Sequence, residues 1–174
     1  MRYIKTYENY NADELESLKS MLDAMSRFGS GIQKNLAKEK LNVMKVVKVK
    51  KVSDVINSQA AEIIKEKVRP EKNNCYANSL RAAEFLREYD VRYCEGWLLL
   101  HGFPIEHAFN KVGDEYFDVT KEFALNGNPE EYTYVVLDDW DPDTALMVMA
   151  TGPYKCYGEV FDKEYISKHP ENIK

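Results

Sequence analysis

Between Asn73 and Thr120 the chain carries three side chains whose types and order suit thiol chemistry. They are a cysteine at a predicted helix start (Asn73-Asn74-Cys75-Tyr76-Ala77-Asn78), a histidine inside a strand pattern (Glu106-His107-Ala108-Phe109-Asn110) and an aspartate on the next strand (Tyr116-Phe117-Asp118-Val119-Thr120). A thiol attacks a carbonyl as the thiolate, and a helix N-terminus favours that anion because unpaired amides and the helix dipole point at it. A nearby histidine takes the thiol proton and later returns it to a leaving amine. An acid on the far ring nitrogen fixes the tautomer and the ring direction. Cys75, His107 and Asp118 are thus the candidate nucleophile, base and orienter of an acyl-transfer site. Attack on a carbonyl also generates an oxyanion, for which the Cys75 amide and the side chains of Asn73 or Asn74 are candidate donors. Tyr76 and Trp97 are candidates to line a substrate cleft. His101, beside Gly102 in a predicted turn, competes for the role of base but with looser orientation. Cys94 and Cys156 fall within strand patterns and read as core.

These residues need a helix start and two neighbouring strands to hold them. Pro70 ends one helix, Glu71-Lys72-Asn73-Asn74 forms a loop, and a new helix runs from Cys75 to about Tyr89. Strands are expected over Val91–Leu100, Ile105–Val112, Glu115–Val119 and Thr133–Leu137, with a Gly113-Asp114 turn making the His107 and Asp118 strands neighbours. Short turn-linked strands imply an antiparallel sheet. Upstream, apolar spacing predicts a helix over Asn11–Phe28, capped by Asn11 and stopped at Gly29. A second helix is expected over Ser53–Arg69, with Ser53 as N-cap. The Lys- and Val-rich run from Lys38 to Val52 reads as a strand with one solvated face. Asp138-Asp139-Trp140-Asp141-Pro142-Asp143 reads as a solvated acidic turn, since it lacks the glycine and terminal glutamate of a calcium loop. A strand near Tyr154–Phe161 and a short helix over Asp162–Lys168 complete the pattern. Gly29-Ser30-Gly31 is a joint, which divides the chain into a helical arm, residues 1–31, and an α+β domain, residues 32–174.

The bulk properties bound what such a chain does. Its 174 residues suffice for one well-buried core, and no run is long enough to cross a bilayer. A formal net charge of -5 argues against nucleic acid as a partner. The first residues, Met1 to Glu8, have no apolar signal segment, so a cytoplasmic home is expected. Three cysteines and three histidines at scattered positions predict neither a disulfide framework nor a metal site, and no cofactor is expected.

Cysteine at a helix start, then His-Ala-aromatic-Asn-x-Val on one strand and aromatic-x-Asp-x-Thr on the next, resembles the transglutaminase-like branch of the papain-like cysteine enzymes. Cys75-Tyr76-Ala77-Asn78 is also similar to the cysteine segment of arylamine acetyltransferases, which use the same triad. The papain-like resemblance implies an α+β fold in which N-terminal helices pack on an antiparallel β-sheet. By position it implies Cys75 as nucleophile, His107 as base and Asp118 as orienting acid. The expected function is a cysteine hydrolase, an amidase or peptidase, acting on an amide or isopeptide bond through a thioester. An inactive scaffold that binds a protein partner through the 11–28 helix, and an acyltransferase with an amine acceptor, are the alternatives. The expected partner is a peptide or amide substrate, with no membrane involved.

Overall fold

Residues 45–50, the centre of the Lys- and Val-rich run, touch both edges of one sheet and so set its shape. In a computed structural model, which describes residues 16–20, 23, 27, 44–100 and 103–151, β1 (Lys45–Val47) pairs antiparallel with β6 (Thr133–Trp140). Two residues later β2 (Val49–Lys50) pairs parallel with β5 (Glu115–Phe117). The six-stranded order is β1-β6-β3-β4-β5-β2, so β1 and β2 are opposite edges of the sheet. Adjacent chain positions lie about 3.8 Å apart, so the two edges can meet only if the sheet curls. Val47 and Val49 both point into that curl, against Cys94, Leu98, Phe109 and Tyr134. The single strand expected over Lys38–Val52 is therefore two short strands split at Lys48. The expectation of a purely antiparallel sheet is corrected by the β2–β5 pair.

The middle of the sheet follows the sequence pattern closely. β3 (Arg92–Leu100) and β4 (Phe103–Val112) form a long antiparallel pair, and β4 turns through Gly113, at φ 56, into β5. Side-chain alternation sends Phe109 inward and Ala108 outward, so the outer face receives the helices.

The helix expected over Ser53–Arg69 is broken. α1 (Val52–Val55) ends at Ile56, and α2 (Ser58–Ile63) starts afresh because the extended Asn57 accepts the Ala60 amide at 2.9 Å. Asparagine is a strong N-cap, and here it outcompetes continuation of the helix. Ser53 lies inside α1 and is not its cap. A π-helical turn, Ile64–Val68, then closes on left-handed Arg69 just before Pro70. α3 (Cys75–Phe85) follows, and a 3-10 turn over Arg87–Tyr89 occupies the end of the expected helix. Ile64, Val68, Leu80, Ala83 and Leu86 bury the apolar sides of the π-helical turn and α3 on the outer face of the sheet.

The predicted acidic turn is not a turn. β6 continues through Asp138 and Asp139 to Trp140, and Asp139 pairs with Arg92 of β3 and, across it, Lys111 of β4. Asp141 accepts the Thr144 amide at 2.9 Å as the cap of α4 (Pro142–Thr151), and Asp143 pairs with Arg87. An Asp-Pro step at a helix start is the signal that identifies α4.

Residues 16–20 are helical, and Leu18 is buried against Trp97, Leu99, Val135 and Leu137 of the sheet. The rest of the expected Asn11–Phe28 helix, apart from residues 23 and 27, lies outside the described residues. So do Gly29–Gly31, His101, Cys156 and the predicted elements after residue 153. Among the described residues no helix is long and apolar enough to cross a membrane.

Candidate active site

The site forms where β5 stops short. Among the described residues β5 covers β4 only along Asn110–Val112, which leaves the upstream part of β4 without a strand on that side. The start of α3 meets β4 there, and the Ala108 amide donates to the Cys75 sulfur. Cys75, the first residue of α3, is a half-exposed free thiol in the first turn, where backbone amides have no intrahelical acceptor.

His107 is one residue before Ala108 and points to the inner face. His107 is 8% exposed, and its ring lies close enough to the Cys75 thiol to lower the thiol's pKa. The Nε2 atom lies 2.6 Å from Asp118 Oδ2, which leaves Nδ1 for the sulfur. Opposite His107 in the β3–β4 register stands Gly96, at a register shift against β6. A Cβ on Gly96 would fall 1.9 Å from the Val135 carbonyl oxygen, so the backbones behind His107 approach too closely for any side chain.

Asp118 follows β5 and continues its alternation, which turns it to the same inner face. It is fully buried, and four donors surround it. Oδ1 accepts the amides of Thr120 at 2.9 Å and Lys121 at 3.0 Å, and Oδ2 accepts the Tyr134 hydroxyl at 2.8 Å beside His107. Burial pushes this carboxyl up, but the charge and hydrogen bond of His107, with the Lys121 amide and the Tyr134 hydroxyl, hold it below the ordinary value. The same interactions act in reverse on His107. Burial alone would lower its pKa, and the Asp118 charge together with the bonds to Asp118 and Cys75 raises it to about 10.

The two described thiols respond in opposite directions. For Cys75 burial favours the neutral thiol, yet the hydrogen bond and charge of His107 and the Ala108 amide outweigh it and bring the pKa below its ordinary value. Cys94, wholly buried on the inner face, is pushed strongly up by burial. Chemically, the arrangement favours the anionic form of Cys75 and the charged form of His107, whose far nitrogen is held by Asp118.

The remaining predicted residues are placed as follows. Asn73 is exposed in the left-handed region at φ 60, and Asn74 precedes α3 without capping it, its side-chain amide donating to Glu71 at 3.4 Å. Tyr76 packs half-buried against the core between helices and sheet, and Trp97 is 5% exposed beside Leu18. Among the described residues no cluster of three or more His, Cys, Asp or Glu side chains is arranged to hold a metal ion.

Sequence reasoning missed Tyr134, Asn78 and Glu95. Glu95 is 3% exposed on β3, accepts the Tyr93 hydroxyl at 2.7 Å, and shares a register position with Ala108, whose amide holds the sulfur. An acid inside the run Tyr93–Leu99, buried on both faces, is the signal that could have revealed it. Burial, with the charges of Asp138, Glu106 and Cys75, raises its pKa to about 8, against the hydrogen bond from Tyr93. The folded chain thus keeps a proton that the unfolded chain releases near 4.5, and stability falls as pH rises across that window. Glu95→Gln keeps the acceptor for Tyr93 and has no such proton. It is expected to raise the thermal midpoint at pH 8 and leave it unchanged at pH 4.5, as followed by thermal melts across that range.

Comparison with protein-family models, with curated proteins and with solved structures gives no match.

Proposed function

We propose that the chain is a papain-like cysteine hydrolase of the transglutaminase-like kind, an amidase or peptidase acting on an amide or isopeptide bond. The observation that carries the reading is the continuous chain from the Cys75 thiol through the His107 ring to the buried Asp118 carboxylate. The opposite responses of Cys75 and Cys94 add to it, because a thiol kept only for packing is pushed up by burial. The motif order and the placement of a helix start against a strand carrying His107 support the papain-like assignment.

In the proposed reaction the Cys75 thiolate attacks the carbonyl carbon, and the oxyanion is met by amides of the first turn of α3. His107 gives its Nδ1 proton to the amine nitrogen as the carbon–nitrogen bond breaks, leaving an acyl thioester on Cys75. Water then adds to the thioester while His107 takes one of its protons. The carbon–sulfur bond breaks, the acid departs, and the thiolate is regained. Asp118 and Tyr134 hold the ring throughout.

An activated ester tests this step without knowledge of the natural substrate. Incubation with p-nitrophenyl acetate is expected to place one acetyl group on Cys75, found by peptide mapping, with nitrophenolate release lost in Cys75→Ala. Equal release by Cys75→Ala, or acetyl groups distributed over lysines with none on Cys75, contradicts the proposal.

A further inference from the structure

Asn78 is buried completely in α3, one turn after Cys75, and its side-chain amide is fully engaged. Its Oδ1 accepts the Glu71 amide at 3.0 Å and the Arg81 guanidinium at 3.0 Å. Its Nδ2 donates to the Glu71 carbonyl at 2.7 Å and to Thr120 Oγ1 at 3.1 Å. The first and third of these grip both main-chain groups of Glu71, as a neighbouring strand would. The loop so held contains Asn73 and follows Arg69, both left-handed, a strained conformation that persists only where the surroundings impose it.

The bond to Thr120 reaches the other half of the site. The Thr120 amide is held by Asp118 Oδ1, whose partner oxygen holds His107, and His107 acts on Cys75. Asn78 and Cys75 lie on the same side of α3, three residues apart. The hydrogen bonds therefore run from Asn78 through Thr120 and Asp118 to His107, the ring that acts on Cys75 one helical turn before Asn78. We infer that Asn78 is a positioning residue, which fixes the start of α3 against the segment carrying Asp118 and so sets the approach of His107 to Cys75. The inference rests on the thiol reading above and adds the side chain that holds its two halves in register.

Cys75 alkylation by iodoacetamide, followed from pH 5 to 10 by peptide mass spectrometry, separates positioning from general stability. In Asn78→Ala the thiol loses its fixed partner. Because one unit of pKa is tenfold in thiolate at low pH, the rate at pH 6 should fall about tenfold or more while the rate at pH 10 stays within about threefold. Thr120→Val keeps the shape, removes only the acceptor, and should move the profile in the same direction, with Thr120→Ser restoring it. It also supplies the test if Asn78→Ala does not fold. A lower melting temperature with an unmoved pH profile in these variants, beside a wild-type Cys75 that reacts fast at pH 6, overturns this inference and leaves the hydrolase reading standing. A wild-type Cys75 that reacts at pH 6 no faster than an ordinary thiol overturns both.

Discussion

Replacing His107 by alanine is expected to slow iodoacetamide alkylation of Cys75 at pH 6 by about tenfold or more, because the thiol loses the partner that holds its pKa below the ordinary value and each unit of pKa is tenfold in thiolate. The physical basis is the balance at the sulfur. Burial favours the neutral thiol, and it is the His107 hydrogen bond and charge, with the Ala108 amide, that reverse this. Without the ring, burial and the nearby Asp118 charge both favour the protonated form, and only the amide remains against them. At pH 10 the variant and the wild type should converge within a fewfold. A variant that alkylates at pH 6 as fast as wild type would mean that the helix start alone activates the thiol.

Asp118→Ala is expected to cost about 3–5 kcal/mol of stability, since removing one partner of a buried pair leaves the other without compensation. For a chain of this size that corresponds to a fall of roughly 10 °C or more in thermal midpoint. The loss has several parts. His107 loses the charge that keeps it protonated, the Tyr134 hydroxyl loses its carboxylate, and the Thr120 and Lys121 amides lose the cap of the turn over Thr120–Ala124. Asp118→Asn keeps the volume and the amide acceptor, so it should recover part of the stability but not the reactivity of Cys75 at pH 6. The pH dependence has a definite sign. The folded pKa of Asp118 lies below its ordinary value of 3.8, so its contribution is complete above that value and is lost as pH falls through the folded pKa. Melts of wild type and Asp118→Asn should therefore be fully apart above about pH 4 and converge as pH falls below it.

The candidate site was legible in the sequence because each of its three residues sits at a place that local rules mark. Pro70 and the polar loop after it announce a fresh helix at Cys75. The two-residue turn at Gly113-Asp114 fixes β4 beside β5, and strand alternation then puts Asp118 on the face of His107. What supports these residues was not legible. Tyr134 comes from a strand on the far side of β3, and nothing local says that its hydroxyl ends at Asp118. Asn78 looks like any polar helix residue until the loop at Glu71 folds back on it. The fold showed the same division. β3 to β6 followed their hydrophobic patterns, whereas the split of residues 45–50 between opposite edges depends on curling of the whole sheet. Asn57 and Asp141 are a different case, because both are caps that the sequence displays, the first obscured by a long apolar pattern and the second by the acidic cluster around it.

The most direct test of the account is the pH profile of Cys75 alkylation in the wild-type chain, with Cys94 as the internal control. The expected result is a Cys75 rate that rises less steeply between pH 6 and pH 8 than that of an ordinary thiol, while Cys94, buried and pushed up, stays unreactive in the folded protein. A Cys75 rate that climbs about tenfold per pH unit through that range, as for an ordinary thiol, would contradict it.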